Sequence, residues 1–255
     1  MGALMPRFET PDLITLELDL GVADVRIEAG DRADTVVEVR PRNDATPDDL
    51  SAAERTRVES VPGRVLVKTA RSWRAYGPFS HGGAVDVRVE LPAGSHVTAK
   101  SAMGAVRVTG TLGETQIKVG SGDIDVEQAA TARLVAGAGD VAIRHVAGAA
   151  DLTTGTGEIR AGELHGPSVL KNGTGDIHVG AAAAGSVEAR TGFGRIEVGV
   201  LDGTAAWLDL GTGYGQVRSD LDRGGPPEAG ETAVEVRAKS GYGDITINRA
   251  YPGAY

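Results

Sequence analysis

The sequence predicts an all-β protein, an elongated β-solenoid or stack of β-hairpins with a period of about 18 residues. N-terminal strands and one short helix cap or flank the repeats. Three observations carry this reading. The unit Gly120-Ser-Gly-Asp-Ile-Asp-Val126 recurs at Gly137–Ile143, Gly155–Ala161, Gly173–Val179, Gly192–Val198, Gly213–Ser219 and Gly241–Ile247, with Ala102–Val108 as a degenerate first copy. The second glycines fall at 104, 122, 139, 157, 175, 194, 215 and 243, so the spacings are 18, 17, 18, 18, 19, 21 and 28. Finally, aromatics make up 4% of the chain against 37 glycines, which suits thin stacked layers rather than a core of large rings.

Within each copy the apolar residues form columns. Two positions after the second glycine stand Val106, Ile124, Val141, Ile159, Ile177, Ile196, Val217 and Ile245, all β-branched as a buried strand favours. Five positions before it, every residue is apolar, from Ala99 and Ile117 to Leu210 and Ala238. Arg107, Asp125, Arg160, His178, Glu197 and Arg218 lie between columns. Side chains two apart share a face, so each copy is two short strands with one dry and one wet face. Gly-x-Gly supplies positive φ for a tight corner, or room for close backbone approach. The acid that follows it in five of eight copies (Asp123, Asp140, Glu158, Asp176, Asp244) accepts nearby backbone amides at the turn. One unit cannot bury its own dry face; eight stacked layers can, giving a rod on the order of 40 Å long.

Taken in order, residues 13–27 read as strand, turn and strand, with Gly21-Val-Ala-Asp-Val-Arg-Ile27 echoing the repeat. Thr35–Arg40 is a further alternating strand. Thr46-Pro47-Asp48-Asp49 marks a helix start with a capping threonine, and the helix is expected over 47–58. Pro62-Gly63 turns the chain into the strand Arg64–Thr69. Residues 70–83 break the pattern and gather Trp73, Tyr76 and Phe79 in a loop. Ala84–Leu91 alternates and stops at Pro92-Ala-Gly94, after which the repeats run to about Ser219. A polar excursion, 222–232, precedes the last copy. The expected organisation is a capping region over 1–94, a solenoid over 95–247 and a tail over 248–255, the first two in one domain.

The run Val85-Asp-Val-Arg-Val-Glu-Leu-Pro-Ala-Gly94, followed by strands punctuated with Gly-x-Gly-Asp-Ile-x-Val, resembles the bacterial "putative adhesin" β-strand-repeat family, the toastrack domains, over about residues 13–247. The resemblance implies a stacked β-repeat fold and a role that is largely undefined, tied in some members to envelope stress.

Several functions are disfavoured. A net charge of −9 argues against nucleic acid, whose phosphates need a basic stripe. With no cysteine there are no disulfides or thiolate metal sites. Calcium is disfavoured because a β-roll needs Gly-Gly-x-Gly-x-Asp twice per coil, whereas here the glycine pair occurs once and Arg195 and Gln216 interrupt the acids. The histidines (His81, His96, His145, His165, His178) lack short ligand spacing, so no metal or other cofactor is expected. Met1–Thr10 shows no leader and no stretch reaches membrane-spanning length, which predicts a cytoplasmic protein, with the cell envelope as alternative.

The expected function is a non-catalytic structural or protein-interaction module, joined to a protein partner or to itself. A carbohydrate-active β-helix enzyme is the alternative, and a cell-surface adhesin is a third reading should a leader be missing. The candidate partner-binding residues are aromatic. The residue between the glycines is small or aliphatic in the early copies and becomes Phe193, Tyr214 and Tyr242 in the last three, expected one layer apart on one edge. Trp73 and Tyr76 form a second candidate group.

Overall fold

The computed structural model describes residues 6–70, 83–221 and 233–250. The chain divides into two compact units, Met1–Asp125 and Val126–Tyr255.

In the first unit the long strand β2 (Thr15–Gly30) serves two columns. Flanking β1 (Arg7–Glu9) and β3 (Asp34–Pro41) surround it in sequence, followed by α1 (Pro47–Arg55), β4 (Thr56–Val61), β5 (Arg64–Thr69), β6 (Ala84–Pro92), β7 (His96–Met103) and β8 (Val106–Ser121). The first half of β2 lies parallel between β5 and β7, and its second half lies parallel between β6 and β8. Strict alternation buries Leu16, Leu18 and Leu20, then Ala23, Val25 and Ile27, on the dry side. Antiparallel strands cover the far side of both columns: β3 on β6 with β1 beyond it, and β4 on β5. This flank gives the edges of β5 and β6 partners that would otherwise invite another chain. Arg32 joins β3 to β6 through ion pairs with Asp34 (2.9 Å) and Glu90.

The helix is shorter than the sequence predicts. It ends at Arg55, and the expected last turn is the start of β4. Thr56 and Val58 are β-branched and pair with Thr69 and Val67, an arrangement a pleated strand serves better than a helix. Thr46 does occupy the N-cap position, but its side chain makes no capping bond. Asp49, in the first turn, instead ties the helix start to its neighbours by accepting the amides of Ala84 (2.7 Å) and Asn43 (3.1 Å).

The second unit consists of two parallel columns. One stacks β9 (Ile124–Ala138, which carries the boundary between the units), β11 (Ala150–Thr156), β13 (Ser168–Thr174), β15 (Gly185–Phe193), β19 (Ala233–Tyr242) and β17 (Ala205–Tyr214). The other stacks β10 (Val141–Val146), β12 (Ile159–Leu164), β14 (Ile177–Ala182), β16 (Ile196–Leu201), β20 (Ile245–Ala250) and β18 (Val217–Ser219). Parallel register lays Val141, Ile159, Ile177, Ile196 and Ile245 over one another, each at most 1% exposed.

The layers do not follow sequence order at the end. The last copy, β19–β20, is inserted between β15–β16 and β17–β18. The side chains explain the exchange. Val234, Val236, Ala238, Ile245 and Ile247 are all buried, as an inner layer requires. The β17–β18 copy carries Ser219 where the last copy has Ile247, and it stands at the end with Val217 45% exposed.

All eight second glycines have positive φ, from Gly104 at 118° to Gly215 at 153°. Close approach acts as well: a Cβ on Gly175 would lie 1.9 Å from the Gly157 carbonyl oxygen. Both expected reasons for glycine therefore hold at once in these eight copies, whereas Ala23, which fills the position in the echo at 21–27, lies within the continuous strand β2 without a positive φ.

Candidate functional site

The corners of the second unit are held by two kinds of side chain. Thr154, Asn172 and Thr191, three positions before the glycine, donate to the corner carbonyls of Gly139, Gly157 and Gly175 in the neighbouring layer, at 2.7–3.0 Å. The acid after the glycine also reaches across layers. Asp140, Asp176 and Asp244 each accept, through Oδ1, the amide of Glu158, Arg195 or Gln216 at 2.7–2.8 Å. The carboxylates thus bond between layers rather than within their own turns. Arg195, which breaks the acidic column, pairs with Asp176 beneath it (Nη2–Oδ2 3.0 Å).

On this ladder of corners the three aromatics come together. Register places Phe193 beside Tyr242 and Tyr242 beside Tyr214. Their ring centroids are 4.9 and 4.8 Å apart and their planes lie within 6° of parallel. Nearly parallel rings at that separation form an offset stack rather than a sandwich, each pair contributing about 0.5–1.5 kcal/mol beyond burial. The rings remain half exposed or more, at 56%, 50% and 70% for Phe193, Tyr242 and Tyr214. Tyr214 ends the stack, in the terminal layer.

That layer is an open end of the second unit as far as the described residues go. Among the described residues, β17 pairs with β19 and β18 with β20, and their other edges have no strand partner. Leu208 and Leu210 are only half-buried there, where the equivalent Val236 and Ala238 are fully buried. Trp207 is 70% exposed. Sequence reasoning missed this tryptophan, although its register partner is Glu235, so a large ring occupies a column of polar or small residues. Trp73 and Tyr76 lie outside the described residues.

Two of the five histidines also meet. His145 and His165 have ring centroids 4.9 Å apart and share Glu163 between them. No helix among the described residues is long and apolar enough to cross a membrane.

Parallel columns of short strands, glycine corners of positive φ and interlayer carboxylate bonds define a β-solenoid repeat protein. The chain matches the family described as Toastrack DUF4097 over residues 14–248, and it belongs to that family. No curated protein sequence matches it. Among solved structures it is similar to a "putative adhesin" from Bacteroides fragilis, with 13% identity, coverage of 96% of this chain and 97% of that chain, and a TM-score of 0.51. A "putative adhesin" from Parabacteroides distasonis shares 16% identity over 96% of this chain and 97% of that one, with a TM-score of 0.47. A "putative lipid binding protein" from the same species shares 11% over 97% and 96%, with a TM-score of 0.44.

Proposed function

We propose that the protein is a non-catalytic interaction module whose terminal layer, β17–β18, receives an extended strand from another polypeptide, a protein partner or a second copy. One observation carries this reading: Trp207 and Tyr214, each 70% exposed, stand on a strand whose outer edge is unpaired among the described residues. An open edge offers backbone donors and acceptors to an added strand, and large rings beside it supply anchoring area. Phe193 and Tyr242 support Tyr214 from behind. Trp73 and Tyr76 are proposed, from sequence alone, as a second aromatic group for the same role.

The non-catalytic part of the reading is supported by how the acids are used. Three of the five repeated carboxylates on which a carbohydrate-active enzyme would draw, Asp140, Asp176 and Asp244, are engaged in joining adjacent corners. A second reading, adhesion at the cell envelope, is favoured by the description of the similar Bacteroides protein. The fold lends no support to the cytoplasmic location expected from residues 1–10, and cell fractionation with an antibody to the folded chain separates the two locations.

The test of the interaction reading is the pair Trp207→Glu with Tyr214→Thr, examined by sedimentation and by capture of partners on the immobilised chain. Loss of association with an unchanged melting curve supports the edge as the surface. Association equal to that of the unsubstituted chain removes it.

A further inference from the structure

A separate side-chain cluster lies on the wet face of the second unit, away from the β17–β18 edge in sequence and register. His145 is the penultimate residue of β10, Glu163 is the penultimate residue of β12, and His165 follows Leu164. Parallel register sets His145 directly beside Glu163. The His165 amide donates to the Val146 carbonyl at 3.1 Å, so the backbone pairing continues past the strand ends. Glu163 and His165 are two apart on one layer and therefore project to the same side.

The three side chains converge. His145 Nδ1 is 3.6 Å from Glu163 Oε2, and His165 Nε2 is 2.8 Å from Glu163 Oε1. One ligand atom from each residue lies within 4.8 Å of the other two. A tetrahedral cation with ligand bonds of about 2.0–2.2 Å needs its donors roughly 3.4 Å apart, so closing a pair at the 4.8 Å limit takes about 1.4 Å of side-chain adjustment. The backbones are already fixed by the ladder. On the far side of Glu163 the register partner is Ala181, a methyl that brings no competing charge.

We propose that His145, Glu163 and His165 form a binding site for a divalent d-block cation of the zinc type. Two imidazole nitrogens and one carboxylate oxygen match zinc, nickel, cobalt or copper, whereas calcium and magnesium take oxygen ligands. The partial exposure of all three side chains leaves a coordination position for water or for a donor from elsewhere. The cation would bridge two consecutive layers, β10 and β12. No short sequence motif announces such a site, because its ligands are brought together by the repeat period and not by a helical turn.

The test uses the full chain, stripped with EDTA and titrated with zinc chloride by calorimetry. The expected result is saturable binding of one zinc per chain, at least about tenfold weaker in His145→Ala, Glu163→Gln and His165→Ala. His178→Ala, in the wet column of Ala142 and Arg160 and outside the cluster, should bind as the unsubstituted chain does. All these side chains are partly exposed, and melting curves in EDTA verify that the variants fold. On the unsubstituted chain, zinc should shift the imidazole resonances of His145 and His165 and leave those of His96 and His178 in place; magnesium should shift none. Binding that is unaltered by all three substitutions, or zinc shifts at His96 or His178 in place of this pair, would overturn the site.

Discussion

Phe193 stacks on Tyr242, at 4.9 Å and 5° from parallel, and not on Tyr214, the next aromatic of the series in sequence. The last repeat thus supplies the middle ring of the ladder, and the repeat before it supplies the end. This exchange predicts which rings are coupled. In double-mutant cycles, Phe193→Thr with Tyr242→Ser should show a coupling of about 0.5–1.5 kcal/mol, and Phe193→Thr with Tyr214→Thr close to none. Coupling of Phe193 to Tyr214 in place of Tyr242 would restore sequence order.

The dry columns predict a sharp contrast between adjacent residues. Ile177 is 1% exposed among β-branched neighbours, so Ile177→Asp should cost roughly 3–5 kcal/mol by leaving a charge unpaired in the stack. His178→Asp, on the wet face, should cost less than about 1 kcal/mol. Denaturant melts of the two variants measure the difference, and equal losses would mean that the two faces are assigned wrongly.

The acidic column is predicted to act structurally. Asp140→Ala removes the acceptor of the Glu158 amide and should destabilise the chain by about 1–3 kcal/mol. Millimolar calcium should leave the melting temperature where magnesium leaves it. A saturable rise with calcium alone would assign the carboxylates to ion binding instead.

Acid should weaken the flank of the first unit. Hydrogen bonds from Arg32, with the charge of Arg7 behind them, hold the Asp34 carboxyl below its ordinary range. A carboxyl depressed in the folded state contributes stability above its unfolded pKa and loses it as pH falls through the folded value. Asp34→Asn should therefore flatten the acid limb of a stability–pH profile below about pH 4 and change nothing in its shape near neutrality. An unchanged acid limb would contradict the pairing.

Much of this was readable from the residues. The columns at Val141, Ile159 and Ile177, the positive-φ glycines and the meeting of late aromatics all follow from a period that parallel strands preserve. The layer exchange was visible only indirectly, in the 28-residue spacing to Gly243 and in Ser219 on an otherwise apolar column. Trp207 escaped notice because it lies outside the Gly-x-Gly unit. Aligned eight positions before the second glycine it stands with His96, Glu114, Thr131, Ala149, Pro167, Ser186 and Glu235, the one large ring among polar and small residues. The end of α1 was misjudged because acids and proline announce where a helix begins, while Thr56 and Val58 turned to strand only through partners across β5. His145 and Glu163 are neighbours by register, and a search for short ligand spacings passes over them.

The most direct measurement is residue-resolved amide hydrogen exchange across the second unit, on the free chain and on its associated form. If β17–β18 is an open edge that receives another strand, amides of β17 without a partner on β19 should exchange far faster than those of β19 in the free chain, and slow on association. Protection in β17 equal to that of β19 in the free chain, or exchange in β17 unchanged by association, would contradict the account.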